Sequence, residues 1–167
     1  MSDENRHIAF ICSKGNLDMV YPALVMGWAA LGNGIDVTIF FTFWGMDIIT
    51  KKRQPHLEIA PVSNTSMKMS LMGLPTGNLG IPNILGILPG MTAFATSIMH
   101  KKIAEVGAPP VGEYLQMLVD GGARLYACKM SVDMFGLTQD DFVEGVEGIV
   151  TASDFMDMTE GAQIIFI

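Results

Sequence analysis

The stretch IAFICSKGN, residues 8–16, decides the fold. Its first five residues are an uninterrupted apolar run of strand length, which is typical of a strand buried on both faces of a parallel sheet. The polar turn at 13–16 leads into an apolar, mostly helix-forming stretch at 17–31, which Pro22 interrupts and the GNG at 32–34 ends. A buried strand, a short turn and a helix together predict the first unit of an α/β sheet.

The rest of the chain repeats this alternation of strand and helix. Further strands are predicted at 36–43, 123–128, 148–152 and 163–167, where β-branched, aromatic and aliphatic residues cluster. Helices are predicted at 44–53, 93–107 and 109–122, the last with Pro at its start and Gly at its end. We therefore expect one α/β domain over 1–167, with a central, mainly parallel sheet of four to five strands and helices on both faces.

Composition excludes several classes of function. A formal charge of −7 argues against nucleic acid as a partner, because phosphate binding needs a basic surface. The two cysteines, Cys12 and Cys128, are too few for a secreted disulfide framework and form no metal-binding spacing, so we expect no metal and no cofactor. The first ten residues lack the pattern of a signal peptide. These features predict a cytoplasmic protein with reduced thiols.

A Met-, Gly- and Pro-rich apolar excursion occupies about 61–108. It is too long for an ordinary loop, and its stretch 79–99 carries no charge. The Gly and Pro residues within it oppose a continuous spanning helix. We expect this segment to pack against other subunits or against the sheet, while contact with a membrane surface without a span stays open.

Both cysteines follow predicted strands, at the sheet edge where open α/β sheets bind ligands. A thiolate is the reactive form of cysteine, and nearby positive charge favours it; Lys129 adjoins Cys128, and Lys14 lies close to Cys12. We therefore expect both thiols at one edge, with at least one of them partly open to solvent. The alternative is that each is an inert core residue, since cysteine is among the most buried residue types.

The turn that follows the first strand is a candidate anion site. Backbone N–H groups of a Gly-containing turn at a helix start can hold a negative charge. The candidate residues are Ser13, Lys14, Gly15 and Asn16. The histidines are scattered through the chain, which gives no local support to a Cys–His catalytic pair.

Three stretches together resemble the DsrE/DsrF/DsrH-like family, in particular its larger DsrE-like branch. They are FICSKGNLD at 10–18, FFTFWGMDIITKK at 40–52 and YACKMSVDMFGL at 126–137. The resemblance runs along nearly the whole chain. It implies a single flavodoxin-like domain, assembled into homo-oligomers or hetero-oligomers, of which we expect a homo-oligomer in trimers or a multiple of them, and a role in sulfur trafficking.

The resemblance also implies specific chemistry. Cys128, in ACKMS, matches the family's sulfur-carrying cysteine, and Cys12 matches a cysteine of this branch. The expected function is a sulfurtransferase-like carrier that holds sulfane sulfur as a persulfide and exchanges it with TusA-like or rhodanese-like carrier proteins. Two alternatives stay open: a non-catalytic oligomeric binding or scaffold module that recruits a partner or membrane through its apolar segment, and a small-anion or nucleotide-binding protein.

Overall fold

Five parallel strands form one sheet in the part of the chain that the structure, a computed structural model, describes: residues 6–60 and 88–167. The elements are β1 (His7–Cys12), α1 (Leu17–Gly32), β2 (Asp36–Phe41), α2 (Met91–Glu105), α3 (Val111–Asp120), β3 (Arg124–Cys128), α4 (Lys129–Phe135), β4 (Val146–Val150), α5 (Ala152–Met158) and β5 (Gln163–Phe166). The strand order is β4-β3-β2-β1-β5, with every neighbouring pair parallel. The α/β class, the parallel sheet and its five strands are confirmed.

One face of the sheet packs against α1 and α3. Phe10, Ile39 and Leu125 lie side by side in the register of β1, β2 and β3, and all three are fully buried. Gly27 lets α1 approach closely, because a Cβ at this position would lie 3.2 Å from Cδ2 of Leu118 in α3 and 3.7 Å from Val37 in β2. The apolar runs of the sequence are therefore buried between the sheet and these two helices.

The opposite face packs against α5. Phe155 of α5 stacks on Phe40 of β2 with ring centroids 4.5 Å apart, and it shares a buried cluster with Ala9, Tyr126 and Cys128. Offset ring stacking of this kind adds to the free energy gained from burial alone. Cys128 is therefore in the core of the α5 face as well as at the end of its strand.

The helix predicted at 44–53 is present only in part, and as a 3-10 helix. The chain forms a 3-10 helix at Phe43–Ile48, followed by turns and an isolated antiparallel bridge between Thr50 and Phe142. The close approach of Gly45 to the end of β1 and the bridge at Thr50 fix this segment to its neighbours, so local helix preference is overridden.

The strand predicted at 148–152 extends too far. β4 ends at Val150, and α5 follows directly from the N-cap Thr151. The Thr151 hydroxyl accepts from the Asp154 N–H, and the Asp154 carboxylate accepts from the Thr151 N–H, which is a capping box. Helix α5 was not predicted, because seven residues give too short a periodic pattern.

The chain divides into two compact units, the first formed by Met1–Leu57 and Pro109–Ile167 and the second by Glu58–Ala108. Within the second unit α2 confirms the predicted helix, and the Ile59 N–H donates to the Thr96 hydroxyl at 3.1 Å. The remainder of the apolar excursion, 61–87, lies outside the described residues, and so do the predicted subunit contacts of its apolar side chains. Over 6–60 and 88–167, no helix has the length and apolar character needed to cross a membrane.

Candidate functional site at the carboxyl edge of the sheet

Cys12 and Cys128 both lie at the carboxyl edge of the sheet. Each is the last residue of its strand, β1 and β3, and β2 runs between them. The prediction of a common edge is confirmed. The expectation that one thiol would be partly open is wrong, since Cys12 is 2% and Cys128 5% exposed.

The two thiols point to opposite faces of the sheet. Cys12 pairs with Phe41, while Cys128 is two residues beyond Tyr126, the partner of Phe40. Because side chains alternate along a strand, Cys12 belongs to the face covered by α1 and α3, and Cys128 to the face covered by α5. The structure therefore brings the two cysteines to one edge without bringing their sulfur atoms together.

Hydrogen-bond donors surround the sulfur of Cys128. The residue occupies the N-cap position of α4, so the N–H groups of Met130 and Ser131 face its side chain. The hydroxyl groups of Thr42 and Ser131, which lie 3.2 Å apart, also favour the charged form of the sulfur. The neutral thiol forms no regular capping hydrogen bond here, so these donors act chiefly on the charged form.

These donors lower the pKa of Cys128. Burial is the largest single influence and would raise the pKa, but the hydrogen bonds from Thr42, Ser131 and Met130 together outweigh it. A buried thiol without such donors would be inert at neutral pH. The arrangement thus combines a shielded sulfur with a stabilised thiolate, which is the condition for a nucleophile.

The two hydroxyl groups form a small buried network. Ser131 Oγ lies 3.2 Å from Thr42 Oγ1 and accepts a hydrogen bond of 2.8 Å from the N–H of Phe43. Phe43 has a φ of 46°, the left-handed region that a bulky aromatic residue rarely adopts. The chain thus enters the left-handed conformation at the residue whose N–H bonds to Ser131.

Lys129 does not face the sulfur as the sequence suggested. Its Nζ lies 2.5 and 2.6 Å from the two carboxylate oxygens of Asp133, one turn further along α4. Both side chains are about half exposed, so the pair lies on the outer surface of the helix. The lowered pKa of Cys128 has its cause in the hydrogen bonds and not in this ammonium group.

The pKa of Cys12 is shifted in the opposite direction to that of Cys128. Burial raises the pKa of Cys12 to about 12, so the residue is a neutral thiol at physiological pH. Its main chain is more directly involved in the site, because the Cys12 carbonyl accepts a 3.0 Å hydrogen bond from the Thr42 N–H. Gly45 packs directly on this carbonyl. The end of β1 therefore holds the turn that carries Thr42 and Phe43.

The turn at 13–16 already satisfies two of its donors. The N–H and the hydroxyl of Ser13 both donate to the main-chain oxygen of Ile167, at 2.8 and 3.0 Å. Lys14 is exposed, Gly15 packs against the Trp44 carbonyl, and Asn16 is the N-cap of α1. Anion binding at this turn stays a prediction.

Sequence reasoning missed Thr42, Ser131 and Phe43. A signal was present, because Ser131 lies three residues after Cys128, at the position where an N-cap residue meets a backbone donor. Thr42 directly follows the strand between the two cysteine-bearing strands. The left-handed conformation of Phe43 has no signature in the sequence.

Exposed apolar side chains come from the same short segments as these donors. Phe43 and Trp44 follow Thr42, and Met130 and Met134 lie on the outer side of α4; all four are exposed. The Trp44 ring contacts the Phe135 ring with centroids 5.2 Å apart. We call these five residues the apolar rim. Exposed aromatic and methionine side chains of this kind are available for contact with another molecule.

Comparison with protein families gives a match over residues 4–167 to the model of the DsrE/DsrF/DrsH-like family. The sulfur carrier protein DsrE2 of Allochromatium vinosum is 33% identical over 153 residues, which cover 91% of this chain and 92% of that protein. The uncharacterized protein YrkE of Bacillus subtilis is 24% identical over 172 residues, covering both chains in full.

Solved structures share the fold at low sequence identity. The protein of unknown function MTH1491 from Methanobacterium thermoautotrophicum has a TM-score of 0.57 at 11% identity, covering 97% of this chain and 99% of that chain. The ychN protein from E. coli has a TM-score of 0.50 at 11% identity, covering 96% and 99%. At this identity the likeness concerns the fold alone.

Proposed function

Because the chain belongs to the DsrE/DsrF/DrsH-like family, we propose that it is a sulfur-relay protein that carries sulfane sulfur as a persulfide on Cys128. The similarity to a protein named as a sulfur carrier, over nearly the whole of both chains, supports the relay role. The observation that carries the assignment to Cys128 is the set of donors from Thr42, Met130 and Ser131 around a buried sulfur at the sheet edge.

The exchange proceeds by thiolate attack. The Cys128 thiolate attacks the outer sulfur of a donor persulfide, so a new S–S bond forms on Cys128 while the donor S–S bond breaks. The donor's inner sulfur leaves as a thiolate, which takes up a proton from water. In the release step an acceptor thiolate attacks the outer sulfur, and Cys128 leaves as a thiolate. The donors that lower the pKa of Cys128 also make it a good leaving group.

Donor and acceptor are proposed to be carrier proteins with an exposed cysteine, of TusA-like or rhodanese-like type. The Cys128 sulfur is buried, so a partner must dock closely and extend its cysteine to the edge. The apolar rim offers such a partner a contact surface beside the site, and exposed Met side chains suit a surface that adapts to more than one partner. The chemistry needs reduced thiols, which fits a cytoplasmic protein.

Cys12 has a supporting role in this proposal. Its thiol lies on the other face of the sheet and stays protonated, so it is poorly suited to receive sulfur from Cys128. Its carbonyl holds Thr42 in place. The exchange therefore depends on the Cys12 main chain more than on its sulfur.

The protein is also proposed to be a homo-oligomer, in trimers or a multiple of them. The edge strand β5 supports this, since it exposes Ile164 and Phe166 and carries no charged residue to prevent pairing with another strand. Multi-angle light scattering decides this point: oligomeric mass is expected, and a monomer at micromolar concentration contradicts it.

The experiment that tests the function is sulfur loading. Wild-type protein, Cys128→Ala and Cys12→Ala are incubated with polysulfide, desalted and weighed as intact proteins by mass spectrometry. Wild type and Cys12→Ala are expected to gain the mass of at least one sulfur atom that dithiothreitol removes, and Cys128→Ala is expected to gain none. Equal loading of Cys128→Ala and wild type would show that the carrier cysteine is wrongly assigned.

A further inference from the structure

We propose that Ser131 and Thr42 are positioning residues that turn their hydroxyl protons toward the Cys128 sulfur, and that the main-chain N–H of Phe43 keeps the Ser131 proton on that side. The inference rests on the proposed function for its purpose, but its geometry stands independently. It names the groups that prepare Cys128 for attack.

The hydroxyl group of Ser131 can make only a few hydrogen bonds. A serine hydroxyl has one proton to donate and two lone pairs to accept with. The Phe43 N–H donates into Ser131 Oγ at 2.8 Å, so one lone pair is occupied on that side. The Ser131 proton is thereby directed away from Phe43, toward Thr42 Oγ1 or the Cys128 sulfur. Ser131 is fully buried, so water does not compete for it.

The hydroxyl groups of Ser131 and Thr42 can change their hydrogen bonds when the charge of the Cys128 sulfur changes. Ser131 Oγ and Thr42 Oγ1 are 3.2 Å apart, and either can donate to the other. When Cys128 is a thiolate, both hydroxyl protons can rotate to the sulfur; when it is bonded to a second sulfur, one can return to the neighbouring oxygen. Two rotations about C–O bonds accomplish this without movement of the main chain. Donors of this kind stabilise charge with little reorganisation, because only the two hydroxyl protons move.

Phe43, with its φ of 46°, is a strained residue. A bulky residue with positive φ is held in a conformation that the surrounding structure must impose, and such residues concentrate at functional sites. Here the end of β1 imposes it: the Cys12 carbonyl accepts the Thr42 N–H, and Gly45 packs on the same carbonyl. The turn is held from one side by β1 and directs its N–H to Ser131 on the other.

The test is the pH profile of Cys128 alkylation in a Cys12→Ala background, measured with iodoacetamide. Ser131→Ala and Thr42→Val are each expected to move the midpoint upward by about one pH unit and to slow alkylation at pH 7 about tenfold, since a hydrogen bond to a charged group is lost. Thr42→Ser keeps the hydroxyl and is expected to stay within about twofold of the parent. Ser97→Ala, at an exposed position of α2, is the control for substitution itself.

The variants Thr42→Val and Thr42→Ser distinguish a loss of folding from a loss of hydroxyl positioning. Ser131→Ala also leaves the Phe43 N–H without its acceptor, so cooperative thermal unfolding is recorded for every variant. Thr42→Val and Thr42→Ser differ in the hydroxyl with similar shape. If Thr42→Val and Ser131→Ala titrate as the parent does, the inference is overturned.

Polysulfide loading of the wild type distinguishes this inference from the proposed function. If wild type takes up no sulfur while the variants shift the thiol profile, the sulfur-carrier proposal fails and the positioning role stands. If wild type takes up sulfur and the alkylation profiles of the variants do not move, the sulfur-carrier proposal stands and the positioning role fails.

Discussion

Replacing Gly45 with alanine places a methyl group against the main chain of the neighbouring strand. A Cβ at this position would lie 2.0 Å from the Cys12 carbonyl oxygen and 2.7 Å from its carbon. Both obstructing atoms are backbone, so no side-chain rotation relieves the contact. The 3-10 helix and the end of β1 must move apart by about 1 Å, which stretches the hydrogen bond from the Thr42 N–H to the same oxygen.

The cost follows from these two effects. Overpacking of this kind costs about 1–3 kcal/mol, and loss of one buried hydrogen bond adds about 1 kcal/mol. We therefore expect Gly45→Ala to lower the free energy of unfolding by roughly 2–4 kcal/mol and Tm by roughly 10 °C for a chain of this size. Urea denaturation followed by circular dichroism measures the first quantity, and a thermal scan the second.

Gly32→Ala is the matched control. Gly32 is the exposed last residue of α1, with no atom within 4 Å of its added Cβ. Alanine is the better helix former, so this variant is expected to be unchanged or up to about 1 kcal/mol more stable. If the two variants unfold within about 0.5 kcal/mol of each other, the tight contact between the Phe43–Ile48 turn and β1 is not a feature of the protein.

Three further predictions concern the core and the two thiols. Phe155→Ala is expected to cost about 3–5 kcal/mol in urea denaturation, because the ring is 2% exposed and stacks on Phe40, whereas Met156→Ala on the exposed side of α5 is expected to change stability by less than about 0.5 kcal/mol; equal losses contradict the packing of α5. Burial raises the pKa of Cys12 from its ordinary 9.0 to about 12, so its contribution to stability is full below pH 9 and is lost as pH rises toward 12. Relative to Cys12→Ala, the free energy of unfolding of wild type should fall by about 1.4 kcal/mol per pH unit between pH 9 and 12. Urea denaturation across this range measures it, and free energies that change equally with pH in the two proteins refute it. Lys129→Ala is expected to leave the alkylation profile of Cys128 within about 0.3 pH units of wild type, because its ammonium pairs with Asp133; a shift of a full unit upward would restore the lysine as the activating group.

The fold was largely predictable because its central strands, β1, β2 and β3, are mostly buried on both faces. Continuous apolar runs such as 8–12 and 125–128 are typical of buried strands, and the residues that follow them mark where the helices begin. Elements whose form depends on tertiary contacts were not predictable. The segment after β2 has a helix-forming composition, yet Gly45 packs on β1 and Thr50 pairs with Phe142, and these contacts impose a 3-10 helix and a bridge.

The candidate site was predictable in position and not in mechanism. Two strand-ending cysteines place the thiols at one edge, but residue order alone did not separate Cys12 from Cys128. Their opposite faces follow from the register of three strands, and a shift of one residue would exchange them. The sequence indicated the neighbouring Lys129 as the activating group, while the groups that lower the pKa of Cys128 include Thr42, which is far away along the chain.

The central claim is that Cys128 receives and holds sulfane sulfur, and peptide mapping of unmutated protein tests it most directly. Wild-type protein is loaded with polysulfide, alkylated, digested and analysed by tandem mass spectrometry, so each cysteine reports separately without any substitution. The account predicts the additional sulfur on the peptide that contains Cys128, with Cys12 recovered as a plain thiol. Additional sulfur confined to the Cys12 peptide, or absent from both, would contradict it.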